Sequence, residues 1–222
     1  MSKHILYLGL DPTHYASNGE LTHWPIIQIV PRPLKDPSIH KALSSFEHYS
    51  HIIITSKSTV RILQDYLAHL GISLQTWAKK TTLAVGQTTA KYLNACGIAP
   101  LIVAQEETAE GIINELKLLS LNQAHIFWPH SSQARGVIKE FLIAQDILHT
   151  TCILYDPKPH MPGPLPLLDD FDEIVFTSPS TVEAFLTIFG HFPSHACLIP
   201  IGPITGRFLE EQKAYRMGRN NE

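Results

Sequence analysis

IIITSKSTVRIL, residues 52–63, returns later in the chain as IVFTSPSTVEAFL, residues 174–186, with Thr-Ser-x-Ser-Thr-Val beginning once at Thr55 and again at Thr177. Each copy opens on three β-branched or aromatic residues, too short a run for a helix, and passes through a polar turn into helical periodicity. In the first copy Val60, Leu63, Leu67 and Leu70 share one helical face and Gly71 stops it; in the second Val182, Phe185, Leu186 and Phe189 do so before Gly190. Ser56 and Ser178 are the natural N-caps, with Pro179 at the favoured first helical position.

A second echo follows each copy. LAVGQTTAKYL (83–93) corresponds to IPIGPITGRFL (199–209), sharing Gly at 86 and 202, Thr at 89 and 205 and Leu at 93 and 209. Similar units run from a strand at Leu101 to Val103 into a helix from about Thr108 to Leu119, and from a strand at His125 to Trp128 into a helix from about Ser132 to Ala144. Alternating strands and helices predict an α/β fold with parallel sheets.

Prolines cluster at 31–33 and across 157–166, marking linkers. The stretch between them has the length of one domain, and about 28 leading residues cannot build a core by themselves. The expected organisation is two parallel-sheet α/β domains of similar topology joined by a two-stranded linker. One domain is discontinuous, 1–28 with 160–222; the other, 34–153, is inserted into it, with 29–33 and 154–159 as linkers.

Composition removes several classes of function. The 17 Lys and Arg against 20 Asp and Glu leave a net charge of −3 with no basic block, so no nucleic-acid partner is expected. No apolar run approaches the roughly 20 residues of a membrane span, and the N-terminus lacks a signal-peptide h-region; a cytoplasmic protein is expected. Cys96, Cys152 and Cys197 show no CxxC spacing and read as buried or incidental thiols. Among 13 histidines there is no HExxH, and His48 with His51 lacks a third ligand, so no metal is expected. GxGxxG, GxxxxGK[ST] and GxSxG are all missing, which disfavours nucleotide and hydride chemistry. With no heptad pattern the expected state is a monomer.

The candidate site lies where strand carboxyl ends meet helix N-termini, the ligand-binding edge of open α/β sheets. Thr55, Ser56 and Ser58 stand there in one half, Ser178 and Ser180 in the other, together with the turns Gly86-Gln-Thr88-Thr89 and Gly202-Pro-Ile-Thr205. Helix N-termini offer unpaired N–H groups and the positive end of the dipole, so four such turns suit a polyanion; helix capping alone would use the same residues. Tyr155 ends the strand predicted for Thr151 to Tyr155, and a phenol with a pKa near 10 can donate a proton at neutral pH. Arg135, after Ser131 and Ser132, falls in the first turn of the predicted helix, where its charge opposes the dipole and suggests a carboxylate-holding role.

Taken in order, TSKSTV from Thr55, VGQTTA from Val85, SSQARG from Ser131, ILY ending at Tyr155, FTSPSTV from Phe176 and IGPITG from Ile201 resemble the pattern of the uroporphyrinogen-III synthase family. The resemblance implies two α/β domains with the substrate in the cleft between them, no cofactor, and a lyase reaction. The substrate would be hydroxymethylbilane, a linear tetrapyrrole with eight carboxylates, handed over by the preceding pathway enzyme or met free. Tyr155 matches the tyrosine proposed to assist departure of the hydroxyl, Thr89 and Thr205 the threonines of the Gly-turns, and Ser56 and Ser178 the turn serines near the substrate carboxylates. Leu8-Gly9-Leu10-Asp11 stands where many members carry Thr-Arg-Pro, and the chain closes at RMGRNNE where many have a further strand and helix. The alternative is a non-catalytic two-domain protein that binds an anionic small molecule by hinge closure.

Overall fold

The computed structural model describes residues 2–13 and 15–219, with side chains as far as Arg216. In chain order its elements are β1 (Lys3–Tyr7), β2 (Gly19–His23), β3 (Ile27–Pro31), α1 (Pro37–Ser44), β4 (His51–Ile54), α2 (Lys57–His69), α3 (Leu74–Ala78), β5 (Thr81–Ala84) and α4 (Gln87–Ala95). There follow β6 (Ile102–Val103), α5 (Ala109–Leu116), β7 (Ile126–Ser131), α6 (Val137–Ala144), β8 (His149–Pro159), β9 (Glu173–Phe176), α7 (Pro179–Phe189), β10 (Cys197–Pro200) and α8 (Pro203–Arg219). The chain divides into two compact units, Met1–Ile29 with Pro157–Glu222, and Val30–Asp156; residues 1, 14 and 220–222 of the expected discontinuous domain lie outside the described residues.

The first unit holds a sheet of order β10-β9-β1-β2, parallel throughout. Its strands follow the two-residue period of a pleat covered on both faces. Leu6, Ile174 and Phe176 look into a core shared with Val182, Phe185 and Leu209, while Ile5, Tyr7 and Val175 pack on the other side with Tyr15 and Leu21. The Phe176 ring meets Phe185 edge-on at 5.3 Å, a favoured aromatic geometry. Helix α7 starts on a capping box at Ser178 and ends on Gly190, whose φ of 79° is the left-handed conformation that closes helices at glycine.

The second sheet has the order β3-β8-β7-β4-β5-β6, with β8 through β6 parallel; β4 to β7 lie wholly in the second unit, while β3 and β8 each run across a unit boundary. Ile53, Leu83, Ile126 and Trp128 share one face with Ile112, Ile138 and Leu142. On the alternate positions Phe127 stacks on Tyr49 at 4.6 Å and meets Phe46 edge-on. Buried Trp77 donates its indole N–H to Thr82 Oγ1 at 3.1 Å, so the polar tip of a large core residue is satisfied.

The strand expected at Thr151 to Tyr155 is longer: β8 runs from His149 to Pro159 and takes in most of the expected linker. His160 N–H bonds Ile26 O and Arg32 N–H bonds Leu154 O, so β3 and β8 are antiparallel and the even-numbered residues of β8 carry that ladder. Pro157 and Pro159 fall on the odd positions, past Tyr155 where β7 stops pairing. Their missing N–H groups therefore cost no ladder bond, which is why two prolines do not end the strand. Arg32 closes this stretch with a two-pronged ion pair to Asp156, both bonds 2.9 Å.

Candidate functional site

Four helices begin directly at strand carboxyl ends: α2 after β4, α4 after β5, α7 after β9 and α8 after β10. Counted from the capping residues Ser56, Gly86, Ser178 and Gly202, the third position is threonine in all four: Thr59, Thr89, Thr181 and Thr205. Their exposures are 0%, 6%, 0% and 3%. The sequence reading singled out Thr89 and Thr205 but passed over Thr59 and Thr181, although the fixed offset from the caps was there to be read.

In the serine-capped helices the threonines complete the cap. Ser178 Oγ accepts from Thr181 N–H at 3.4 Å, and Thr181 Oγ1 accepts from Ser178 N–H at 3.2 Å and from Thr177 N–H at 3.1 Å. Ser180, at the second helical position, lies 2.8 Å from Ser178 Oγ. Ser56 Oγ accepts from Thr59 N–H at 3.1 Å, and Thr55 and Ser58 flank it half-buried. Capping is thus one established role of both turn serines.

Ser56 has a second partner. Its Oγ lies 2.8 Å from the Tyr155 hydroxyl and 2.9 Å from Thr59 Oγ1. The Tyr155 ring is 5% exposed, so packing fixes the phenol against the N-terminus of α2. A serine oxygen has one proton and two lone pairs. With one lone pair taken by Thr59 N–H, one neighbouring hydroxyl must donate to Ser56 and the other accept from it. Two proton arrangements satisfy the cluster, and in one of them Ser56 donates to Tyr155, leaving the phenol proton for another acceptor.

The glycine-capped helices differ from the serine-capped ones and from each other. Neither the Thr89 nor the Thr205 hydroxyl bonds a protein group among the described residues. Gly86 is buried and Thr88 exposed. Gly202 has a φ of 79°, and Pro203 after it brings no N–H. At α4 the first helical N–H, on Gln87, is taken by Glu107 Oε1 at 2.8 Å. Glu107 lies in the turn between β6 and α5, and no sequence pattern marked it.

Arg135 departs from expectation. Helix α6 starts at Val137 with Gly136 as cap, five residues later than predicted. Ser131 Oγ accepts from Gln133 N–H at 3.0 Å and Ser131 O from Ala134 N–H at 3.1 Å, so residues 131–134 are held in a turn. The arginine therefore precedes the helix, and its fork grips both oxygens of Glu110 on α5 at 2.6 Å each. Its charge is already answered by a protein carboxylate, and that hydrogen-bonded partner raises its pKa.

Ser131 ends β7 and pairs in register with Tyr155. Beside it the half-buried His130 ring packs 4.2 Å from Trp128, its Nδ1 bonded to Ser131 O at 2.8 Å. Burial lowers its pKa below the ordinary histidine value. In the first unit, Gly9 follows β1 at the same kind of edge; a Cβ there would lie 2.5 Å from Thr177 Cγ2 and 2.9 Å from Thr177 Oγ1 and Tyr7 Cε1, so a larger residue would have to push those side chains aside. Tyr7 donates to Asp11 O at 2.9 Å.

Of the cysteines, Cys152 is buried, Cys96 half-buried and Cys197 exposed. Among the described residues no three His, Cys, Asp or Glu side chains gather as a metal site, and no helix is long and apolar enough to cross a membrane.

The described residues thus form an α/β protein of two mainly parallel sheets in which hydroxyl-bearing helix N-termini follow strand carboxyl ends, one of them bonded to a buried tyrosine. The family described as uroporphyrinogen-III synthase HemD matches residues 14–216, and the chain belongs to that family. A porphyrin biosynthesis protein HemD of Ruminiclostridium josui is 32% identical over 91 residues, which cover 41% of this chain and 16% of that longer protein. A mutant uroporphyrinogen III synthase of Thermus thermophilus superposes with a TM-score of 0.67 at 17% identity, covering 96% of this chain and 90% of that one. The Helicobacter pylori 26695 uroporphyrinogen-III synthetase does so with 0.61 at 18% identity, over 95% and 89%. At such identities these structures speak for the fold.

Proposed function

We propose that this protein is an enzyme of tetrapyrrole biosynthesis, a uroporphyrinogen-III synthase that cyclises hydroxymethylbilane with inversion of the last pyrrole ring and loss of water. The observation that carries the reading beyond family membership is the Tyr155–Ser56–Thr59 hydroxyl cluster at the N-terminus of α2.

In this reading Tyr155 delivers a proton to the departing hydroxyl. The C–O bond breaks, water leaves with the phenol's proton, and the pyrrole nitrogen's lone pair supplies the electrons of the azafulvene cation. Ser56, donating to the phenol oxygen, stabilises the charge left there, as a positioned hydrogen bond does for any developing oxyanion. The substituted carbon of the last ring attacks the cation to give a spiro intermediate. That carbon's bond to the neighbouring methylene then breaks, leaving a second azafulvene cation, and the ring's free α-carbon closes onto that methylene and loses its proton, which returns to the Tyr155 phenolate. The substrate's carboxylates are taken by helix N-termini: Thr55, Ser56 and Ser58 at α2, Gly86, Thr88 and Thr89 at α4, Ser178 and Ser180 at α7, Gly202 and Thr205 at α8. Ser131 lies on the same sheet edge as Tyr155. Arg135, held by Glu110, acts here through that pair. Since unassisted bilane closes to the wrong isomer, positioning contributes more than proton transfer. The reaction is a lyase reaction and uses no cofactor.

The test is to incubate the purified protein with freshly generated hydroxymethylbilane and separate the oxidised products into type I and type III isomers. Predominant type III is the expected result. Type I alone, at the spontaneous rate, would leave a protein that binds an anionic small molecule without turning it over.

A further inference from the structure

Helix α4 begins on a glycine, so no cap side chain serves its first N–H groups. Glu107, 20 positions along the chain from Gln87, supplies a carboxylate oxygen to the first of them at 2.8 Å. It lies so close that a Cβ on Gly86 would overlap its carboxyl group; the glycine leaves the room in which a carboxylate rests against the backbone. Behind it stands Thr89, 6% exposed, with no hydrogen-bond partner among the described residues. Thr89 is the third residue of α4 and so belongs to that same first turn. The corresponding turn at Gly202 has no atom within 4 Å of where a Cβ would stand, and Pro203 removes the N–H that Gln87 uses.

We propose that Glu107 is an internal competitor: it occupies the carboxylate position at the N-terminus of α4 until a carboxylate of the substrate displaces it, and thereby sets the affinity of this unit for polycarboxylates. The proposal rests on the reading of the substrate as a polycarboxylated bilane. Glu107 is exposed, so its contact exchanges readily with solvent and with another anion. An exchange of one carboxylate for another keeps the Gln87 donor and the helix dipole satisfied throughout, while binding is weakened by the strength of the contact given up.

The experiment compares the parent protein with Glu107→Ala and Glu107→Gln in two measurements: KM for hydroxymethylbilane, and the rise in melting temperature caused by citrate, a tricarboxylate that needs no turnover. An exposed carboxylate at a helix N-terminus holds with a strength equivalent to about two- to five-fold in affinity. The expected result is a KM lower by that factor in Glu107→Ala, an intermediate fall in Glu107→Gln, which keeps the acceptor but not the charge, and a larger citrate response in Glu107→Ala than in the parent. A KM that is unchanged or raised, or equal citrate responses, would overturn the proposal. A residue that merely caps α4 would give a raised KM and a lower melting temperature without citrate. If the parent makes no type III product, the functional reading fails while the citrate measurement still decides the exchange.

Discussion

Removing either hydroxyl of the Ser56–Tyr155 pair has a cost that follows from its surroundings. Tyr155→Phe keeps the buried ring and deletes one hydrogen bond at 2.8 Å, worth about 1 kcal/mol net; Ser56 retains its bond from Thr59 N–H. Ser56→Ala loses that same bond, together with the bond to Thr59 Oγ1, about 1 kcal/mol, and the cap of α2, about 1 kcal/mol, so it should cost about 3 kcal/mol in all. The double variant should cost no more than Ser56→Ala alone, because the bond can be lost only once, leaving a coupling of about 1 kcal/mol. In a chain of this length a loss of about 1 kcal/mol moves the melting temperature by about 2–4 °C, so thermal unfolding with urea titration resolves all four corners. Type III formation should fall by about 10²–10⁴-fold in Tyr155→Phe if the phenol is the proton donor. Strictly additive stability effects would mean that the two hydroxyls do not bond in solution. Coupling with an undiminished rate would make the pair structural and remove Tyr155 from the chemistry.

Three further outcomes are expected. Burial lowers the pKa of His51, His125 and His130 below the ordinary 6.5, so the unfolded chain takes up protons first and stability, full above about pH 6.5, falls as the pH drops below it; melting temperatures recorded from about pH 8 to about pH 5 should show this, and a flat profile would contradict it. Burial pushes the Cys152 thiol up to about 12, so a thiol reagent should label exposed Cys197 at once and Cys96 more slowly, with Cys152 reacting only on unfolding; Cys152 labelling in the native protein would refute its environment. The Arg135–Glu110 pair is exposed on both sides, at 40% and 46%, and exposed pairs contribute at most about 1 kcal/mol, so Glu110→Gln should lower the melting temperature by no more than about 4 °C, and a larger loss would show that the pair holds α5 to the Arg135 turn.

The features legible in the sequence are those carried by short-range repetition. The Thr-Ser-x-Ser-Thr-Val and Gly-x-x-Thr echoes placed two strand-to-helix turns in each half, and Ser56, Ser178, Gly71 and Gly190 marked helix boundaries that local backbone chemistry dictates. What escaped depends on groups distant in the chain. Helix α6 starts late because Ser131 commits its hydroxyl to a turn, which hydrophobic spacing over 132–144 does not reveal. The carboxylate that Arg135 holds was not legible because Glu110 is 25 positions away, and Glu107 reaches α4 from a loop with no periodicity of its own. Strand β8 outran its expected end because prolines were read as breakers, whereas the sheet alternation places them where no donor is required.

The sheet order of the first unit also has a consequence on the ribosome. Strand β1 lies between β2 and β9, yet β9 begins only at Glu173, after the whole second unit has been made. At roughly 5–20 residues per second of synthesis, β1 waits on the order of ten seconds or more for its second neighbour, with Ile5 and Leu6 uncovered and one edge unpaired. The second unit, contiguous from Val30 to Asp156, has every strand of its parallel core in hand before that moment. Synthesis therefore imposes an order in which the strands of the inserted half are complete before β1 gains its second neighbour.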